Sequence, residues 1–230
     1  MTGKTPIKAA IVDDHLATYE PLMKRIEEYG TIQFTFLAES GEVLKERLTA
    51  GNVPDVLIMD IYMPDIDGFQ LVGWLKQHYP TINVVAFTIL SSELAMIRLL
   101  LLGGDGYIIK GVRPRVLADA IETVVQTGSA FTHISAGLLV KFIRDDGFDV
   151  QKFWLQPEGQ NFQFITLACS ELTYCQIASI MKVPQGTLER IRERVFEIFK
   201  VKTRVGLTLA AIRHGIVSPG YEQKTPFTFI

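Results

Sequence analysis

Four apolar residues, Val56-Leu57-Ile58-Met59, run straight into an acid, Asp60. Ile61-Tyr62-Met63-Pro64 follows, then Asp65, Asp67 and Gly68. A short apolar run bounded by turn residues reads as a buried strand of a parallel sheet. Asp60 then stands at the strand's carboxyl end, where open α/β sheets place their ligands. An acid there is costly unless its charge is compensated. The rest of the chain must supply a cation or put the acid to chemical use.

Three other stretches have the same form. Ala9–Val12 ends in Asp13 and Asp14, Val84–Phe87 ends in Thr88, and Gly106–Ile109 ends in Lys110. If these strands are parallel, three acids, a hydroxyl and a lysine meet at one edge. Clustered carboxylates repel one another and favour a hard divalent cation with oxygen ligands. A lysine and a hydroxyl beside them suit a phosphoryl group. Helical patterns separate the strands at about 18–29, 42–49 (with Ser40 as N-cap), 69–78 and 115–126, with one more between Ser91 or Ser92 and Gly103-Gly104. With Phe34–Ala38 as a further strand, five such units predict an α/β, doubly wound parallel sheet.

At these residues the chain resembles a two-component response regulator. Asp13-Asp14, Asp60, Met63-Pro64, Thr88 and Lys110 match the receiver-domain motif in order and spacing, over residues 7–127. The resemblance implies a flavodoxin-like, five-stranded sheet in the order 2-1-3-4-5. It makes Asp60 the phosphoacceptor for a sensor histidine kinase. It assigns Mg²⁺ to Asp13, Asp14, Asp60 and the Tyr62 backbone carbonyl, phosphoryl binding to Thr88 and Lys110, and a conformational switch to Thr88 and Tyr107. His15 is expected to face solvent. Two departures touch the site: Ile89 follows Thr88 where a small residue is usual, and Gly111 rather than proline follows Lys110. Tyr62 and Leu90 would border the phosphoryl group, exclude water and lengthen the life of an acyl phosphate.

Charge is unevenly spread. Residues 1–150 carry 13 Lys+Arg against 19 Asp+Glu, whereas 151–230 carry 10 against 6, which suggests two tasks. The domains read as a receiver over 1–128, a linker with a short helix (135–144) over 129–159, a helical domain over 160–217 and a tail over 218–230. Cys169 and Cys175 are expected to be reduced thiols. The start of the chain lacks the apolar core of a signal peptide, and no apolar run is long enough to span a bilayer, so a cytoplasmic protein is expected.

The back half offers helical patterns at 162–169, 174–181, 187–199 and 204–214, with Val183-Pro184-Gln185-Gly186 breaking the second from the third. Helix, tight turn, helix is the layout of a helix-turn-helix. Ile177-Ala178, Thr187-Leu188 and Val201-Lys202-Thr203-Arg204 are similar to the LuxR-type DNA-binding domain, which identifies the chain as a member of the NarL/LuxR subfamily. That resemblance implies DNA contacts by Thr187, Arg190, Arg194, Lys202 and Arg204, and a homodimer when phosphorylated. Here too there are departures. Glu189 replaces a usual basic residue, Ile191 a histidine and Lys200 a glycine. Leu188, Ile191, Val195, Ile198 and Phe199 should form the buried stripe of the third helix, leaving Glu189, Glu193 and Glu197 on the opposite face. An acidic stripe there repels phosphates. A transcription factor and a signalling adaptor whose back domain binds protein therefore both remain open. A metal-dependent phosphatase fits less well, because Tyr62 holds the place of its second acid. The chain is expected to be no general enzyme.

Overall fold

The computed structural model describes residues 5–64, 66–131 and 159–217. Asp65, the expected linker with its helix at 135–144, and the tail lie outside the described residues. The chain divides into two compact units, 1–139 and 140–230.

In the first unit, β1 (Ile7–Val12), β2 (Ile32–Ala38), β3 (Val56–Met59), β4 (Asn83–Thr88) and β5 (Gly106–Ile109) pair in parallel in the order 2-1-3-4-5. A two-residue strand, β6 (Ala130–Phe131), extends the sheet beyond β5, so it has six strands. Five helices connect them: α1 (Tyr19–Glu27), α2 (Gly41–Thr49), α3 (Gly68–His78), α4 (Glu93–Leu101) and α5 (Pro114–Thr127). Capping sets three of the starts. The side chains of Ser40, Asp67 and Ser92 accept hydrogen bonds from Val43, Phe69 and Ala95 amides respectively, each satisfying an amide that has no partner within the helix.

Strand alternation splits the core in two. Ala10, Val12, Leu57, Met59, Val84 and Ala86 face α2, α3 and α4. Ala9, Ile11, Val56, Ile58, Val85 and Phe87 face α1 and α5. With both faces covered, β3 is buried at all four positions, as its unbroken apolar run requires. In α5 the apolar pattern is only partly buried: Leu117, Ile121 and Val124 are core, whereas Val116 and Val125 sit at the rim, exposed.

The second unit holds α6 (Gln160–Ala168), α7 (Tyr174–Ile180), α8 (Gln185–Ile198) and α9 (Arg204–Arg213) around Phe164, Ile165, Ile177, Val195, Leu207 and Ala211. Thr173 and Gln176 form a reciprocal capping box at the start of α7. α7 and α8 both end in a left-handed residue, Lys182 (φ 54°) and Lys200 (φ 52°). The Val183 and Val201 amides then reach back to the Ala178 and Phe196 carbonyls, at 3.0 and 2.9 Å. This is the Schellman closure, which usually selects glycine. Gly215 (φ 65°) closes α9 in the same way. The glycine replaced by Lys200 therefore still has its conformation, carried by a side chain that disfavours it.

Candidate functional site

The parallel register brings the expected strand ends together. The ladder continues one residue past each strand: the amides of Asp13, Asp60 and Lys110 donate to the carbonyls of Ala38, Val12 and Thr88. This fixes the backbone beneath the polar groups. Asp13, Asp60 and Thr88 are buried, and Asp14 is half-buried.

Lys110 supplies the cation that these acids need. Its Nζ donates to Asp13 Oδ2 at 2.7 Å and to Asp60 Oδ2 at 2.6 Å. Burial works against the lysine charge, yet the bonds to Asp13 and Asp60 outweigh it and hold the ammonium above the usual lysine pKa. The other oxygens are also engaged. Asp60 Oδ1 accepts from the Tyr62 amide at 3.1 Å, and Asp13 Oδ1 from the His15 amide at 2.8 Å. His15 is 74% exposed, as expected, but its Nδ1 lies 2.9 Å from Asp14 Oδ1. Asp13, Asp14 and His15 each place a ligand atom within 4.8 Å of the others. Two hard carboxylates in such a group, with Asp60 tied to Asp13 through Lys110, suit Mg²⁺.

Asp60 opens a loop that closes on itself. Tyr62 and Asp67 form an isolated antiparallel bridge. A Cβ at position 68 would lie 2.7 Å from both Cα and O of Ile61, so only glycine lets α3 start there. Arg98 of α4 reaches Asp67 at 3.2 Å and stacks over Phe69 at 4.0 Å. Burial lowers the Arg98 pKa, against the charge of Asp67.

Beside the acids, Thr88 Oγ1 accepts from the Leu90 amide at 3.3 Å, and the buried Tyr107 hydroxyl donates to the Leu90 carbonyl at 3.0 Å. Both residues of the expected switch thus meet at Leu90. Leu90 is itself buried, Tyr62 is half-buried and Ile89 is 69% exposed. Burial, followed by the charges of Asp60 and Asp67, pushes the Tyr62 phenol up to about 12.

Sequence reasoning missed Tyr19. This buried residue opens α1 and donates its hydroxyl to Asp13 Oδ2 at 2.6 Å. Its ring lies edge-on to Phe87, centroids 6.3 Å apart, with Lys110 Nζ 6.0 Å away. The signal was present: the apolar stripe Leu22, Met23, Ile26, extended back one turn, reaches Tyr19 beside the acids.

In the second unit Leu188, Ile191 and Val195 are buried and Phe199 half-buried. Ile198, expected in the same stripe, is 39% exposed: it falls at the edge of the stripe, while Phe199 and Val201 beyond it pack on the core. Glu189, Glu193 and Glu197 are exposed, as are Arg190, Arg194 and Lys202, while Thr187 is half-buried. Arg190 reaches back to the Gly186 carbonyl (3.4 Å) and Thr187 Oγ1 (3.3 Å).

Arg204, expected to contact DNA, also has a task within the fold. Its Nε donates to the Ala168 carbonyl at 2.6 Å, Nη1 to Leu172 at 2.6 Å and Nη2 to Ser170. One guanidinium thereby binds the end of α6 and the loop after it to the start of α9. Each of its nitrogens serves a carbonyl, which makes the group a clamp within the fold, and three of its five N–H donors are used in this way.

Comparison with known proteins fits this arrangement. Residues 9–122 match the family described as response regulator receiver domain. Response regulator GacA of Pseudomonas protegens is 29% identical, covering 92% of this chain and 98% of its own. Transcriptional regulatory protein DegU of Brevibacillus brevis is 31% identical, over 57% of this chain and 55% of its own. Among solved structures, RcsB from Salmonella enterica serovar Typhimurium, bound to a promoter with the phosphomimetic BeF3⁻, superimposes with a TM-score of 0.62 at 19% identity, covering 90% of this chain and 98% of that one. The motif at the sheet edge, the sheet order and these likenesses together establish that the chain belongs to the response regulators of the NarL/LuxR type.

Proposed function

We propose that the chain accepts a phosphoryl group on Asp60 from a phosphohistidine of a sensor kinase and, so loaded, controls transcription through DNA binding by its helix-turn-helix. The observation that carries this is Lys110 Nζ, held between Asp60 Oδ2 and Asp13 Oδ2 at the carboxyl edge of the sheet. An Asp60 carboxylate oxygen forms the new bond to phosphorus while the P–N bond to the kinase histidine breaks and its electron pair returns to the imidazole. Such a transfer asks the protein for position and charge rather than for an acid or base. Lys110 is placed to follow the developing charge from the carboxylate to the phosphoryl oxygens. Asp13, Asp14, Asp60 and the Tyr62 carbonyl would hold Mg²⁺, which when bound neutralises phosphoryl charge. Thr88 would turn its hydroxyl from the Leu90 amide to a phosphoryl oxygen, and Tyr107, bonded to the same residue, would feel the change.

The domain division proposed is a receiver over 1–128, a linker over 129–159 and a helix-turn-helix domain over 160–217. Thr187, Arg190, Arg194, Lys202 and Arg204 are the proposed DNA contacts, Arg204 through the N–H groups beyond the three that serve carbonyls. Phosphorylated protein would bind as a homodimer. None of the described helices is long and apolar enough to cross a membrane, in keeping with a cytoplasmic regulator.

The full chain incubated with acetyl phosphate and MgCl₂ should gain one phosphoryl group by intact mass. Asp60→Asn should gain none; phosphorylation of that variant to the wild-type level would refute the assignment. Fluorescence anisotropy with labelled duplex DNA, repeated across salt concentrations, tests the second half. The affinity should fall steeply with salt, the slope reporting the phosphates contacted. One observation favours a second reading, a signalling adaptor: Glu189, Glu193 and Glu197 are exposed along one face of α8. No binding at the lowest salt, phosphorylated or not, would select that reading.

A further inference from the structure

We infer that Tyr19 is a positioning residue that restrains Asp13 and thereby weakens the divalent-cation site. This rests on the reading of Asp13, Asp14 and Asp60 as that site. Three observations support it.

The two oxygens of Asp13 face different ways. Oδ1 lies on the side of His15, whose amide it accepts at 2.8 Å and whose Nδ1 is 3.7 Å away. Oδ2 is turned inward, where it accepts the Tyr19 hydroxyl at 2.6 Å and the Lys110 ammonium at 2.7 Å. An oxygen holding two short bonds has both lone-pair directions filled. A cation can take Oδ2 directly only by displacing one of these donors, so Asp13 is left to serve it through Oδ1 or through water.

Tyr19 is also rigidly placed. It is the first residue of α1, it is 3% exposed, and its ring rests edge-on against Phe87. The hydroxyl cannot swing away without moving the start of the helix. The donor is therefore present before any cation arrives, and it draws negative charge from the carboxylate that the cation must share. Lys110 meets the same constraint, because Tyr19 orients the oxygen on which the lysine rests while its second bond goes to Asp60.

The test is the Mg²⁺ affinity of the full chain by isothermal titration calorimetry, with Tyr19→Phe as the variant. Phenylalanine keeps the ring and its packing on Phe87 and removes only the donor. The expected result is tighter binding, by about three- to tenfold, the equivalent of one net hydrogen bond no longer competing. A residue that merely supports the fold would give the opposite sign, since a loosened site binds more weakly. Unchanged or weaker Mg²⁺ binding by Tyr19→Phe overturns the inference. The same substitution made in Asp13→Asn should leave affinity where Asp13→Asn alone puts it; a tyrosine effect that persists there also overturns it. Should wild-type protein bind no Mg²⁺ at all, the cation site itself is wrong, and that failure is distinct from a wild-type site that ignores Tyr19.

Discussion

Replacing Arg204 by alanine separates a structural clamp from a DNA contact. The side chain donates from all three nitrogens to the carbonyls of Ala168, Ser170 and Leu172, and its guanidinium lies 5.6 Å from the Tyr174 ring centre. A hydrogen bond from a charged donor is worth about 1.5–3 kcal/mol. Arg204 is half-buried, so water replaces part of what is lost, and three bonds from one group do not add in full. The expected cost is about 2–4 kcal/mol, concentrated in the second unit. Hydrogen exchange followed by mass spectrometry on the full chain reads it. Peptides from 159–217 should lose protection by that amount, while peptides from 5–131 keep theirs. Arg204→Lys, with a single nitrogen, should recover less than half. A loss below about 0.5 kcal/mol, the range of an ordinary surface substitution, would refute the clamp. If the same variant lowered the salt slope of DNA binding by about one with protection intact, Arg204 would be a phosphate ligand after all.

Three further outcomes are expected. Lys200→Gly should stabilise the second unit by about 0.5–1 kcal/mol, the relief of a left-handed side chain less its favourable charge at a helix C-terminus; a lower melting temperature would count against it. With Mg²⁺ and no phosphatase, the acyl phosphate should survive for minutes, and Tyr62→Ser should shorten its life severalfold by admitting water; equal decay of the two proteins would remove Tyr62 from that role. Alkali should ionise Tyr62 late. Its folded pKa is raised to about 12, chiefly by burial, so its contribution to stability is complete below the free tyrosine value of about 10 and is lost as the pH climbs toward 12. Tyr19 and Tyr107 are shifted the same way, again chiefly by burial. Phenolate absorbance should therefore lag and then rise together with unfolding, and early reversible ionisation of all tyrosines would contradict this.

The first unit was legible because parallel strands buried on both faces must be apolar throughout, so a polar residue marks where each one ends. Asp60, Thr88 and Lys110 announce themselves in that way. β6 did not, since Ala130-Phe131 is too short to show any period; its trace is indirect, in Gly106, where a Cβ would meet the Ala130 carbonyl at 2.8 Å. Tyr19 was hidden by its chemistry: in a helix stripe a tyrosine reads as core, and only the fold shows which acid its hydroxyl meets. The part Arg204 plays in the fold was hidden for a related reason. A basic residue in a helix-turn-helix suggests phosphate, whereas three carbonyls left over at the end of α6 and in the following loop are a need that no linear pattern displays. Ile198 lies at the edge of the apolar stripe, and period alone does not say how wide the packed face is.

The bridge that Lys110 makes between Asp13 and Asp60 also fixes the arithmetic of signalling. Three carboxylates and one ammonium leave the cluster two charges negative, a deficit that a single divalent cation cancels. A phosphoryl group on Asp60 replaces one negative charge by nearly two. The resting and loaded states then differ by about one elementary charge, at a point where burial strips away the screening that water would give. On the reading of Asp60 as phosphoacceptor, the message passed to the rest of the molecule is that one charge, and Thr88, whose Oγ1 rests on the Leu90 amide, is the hydroxyl at a neighbouring strand end that would answer it.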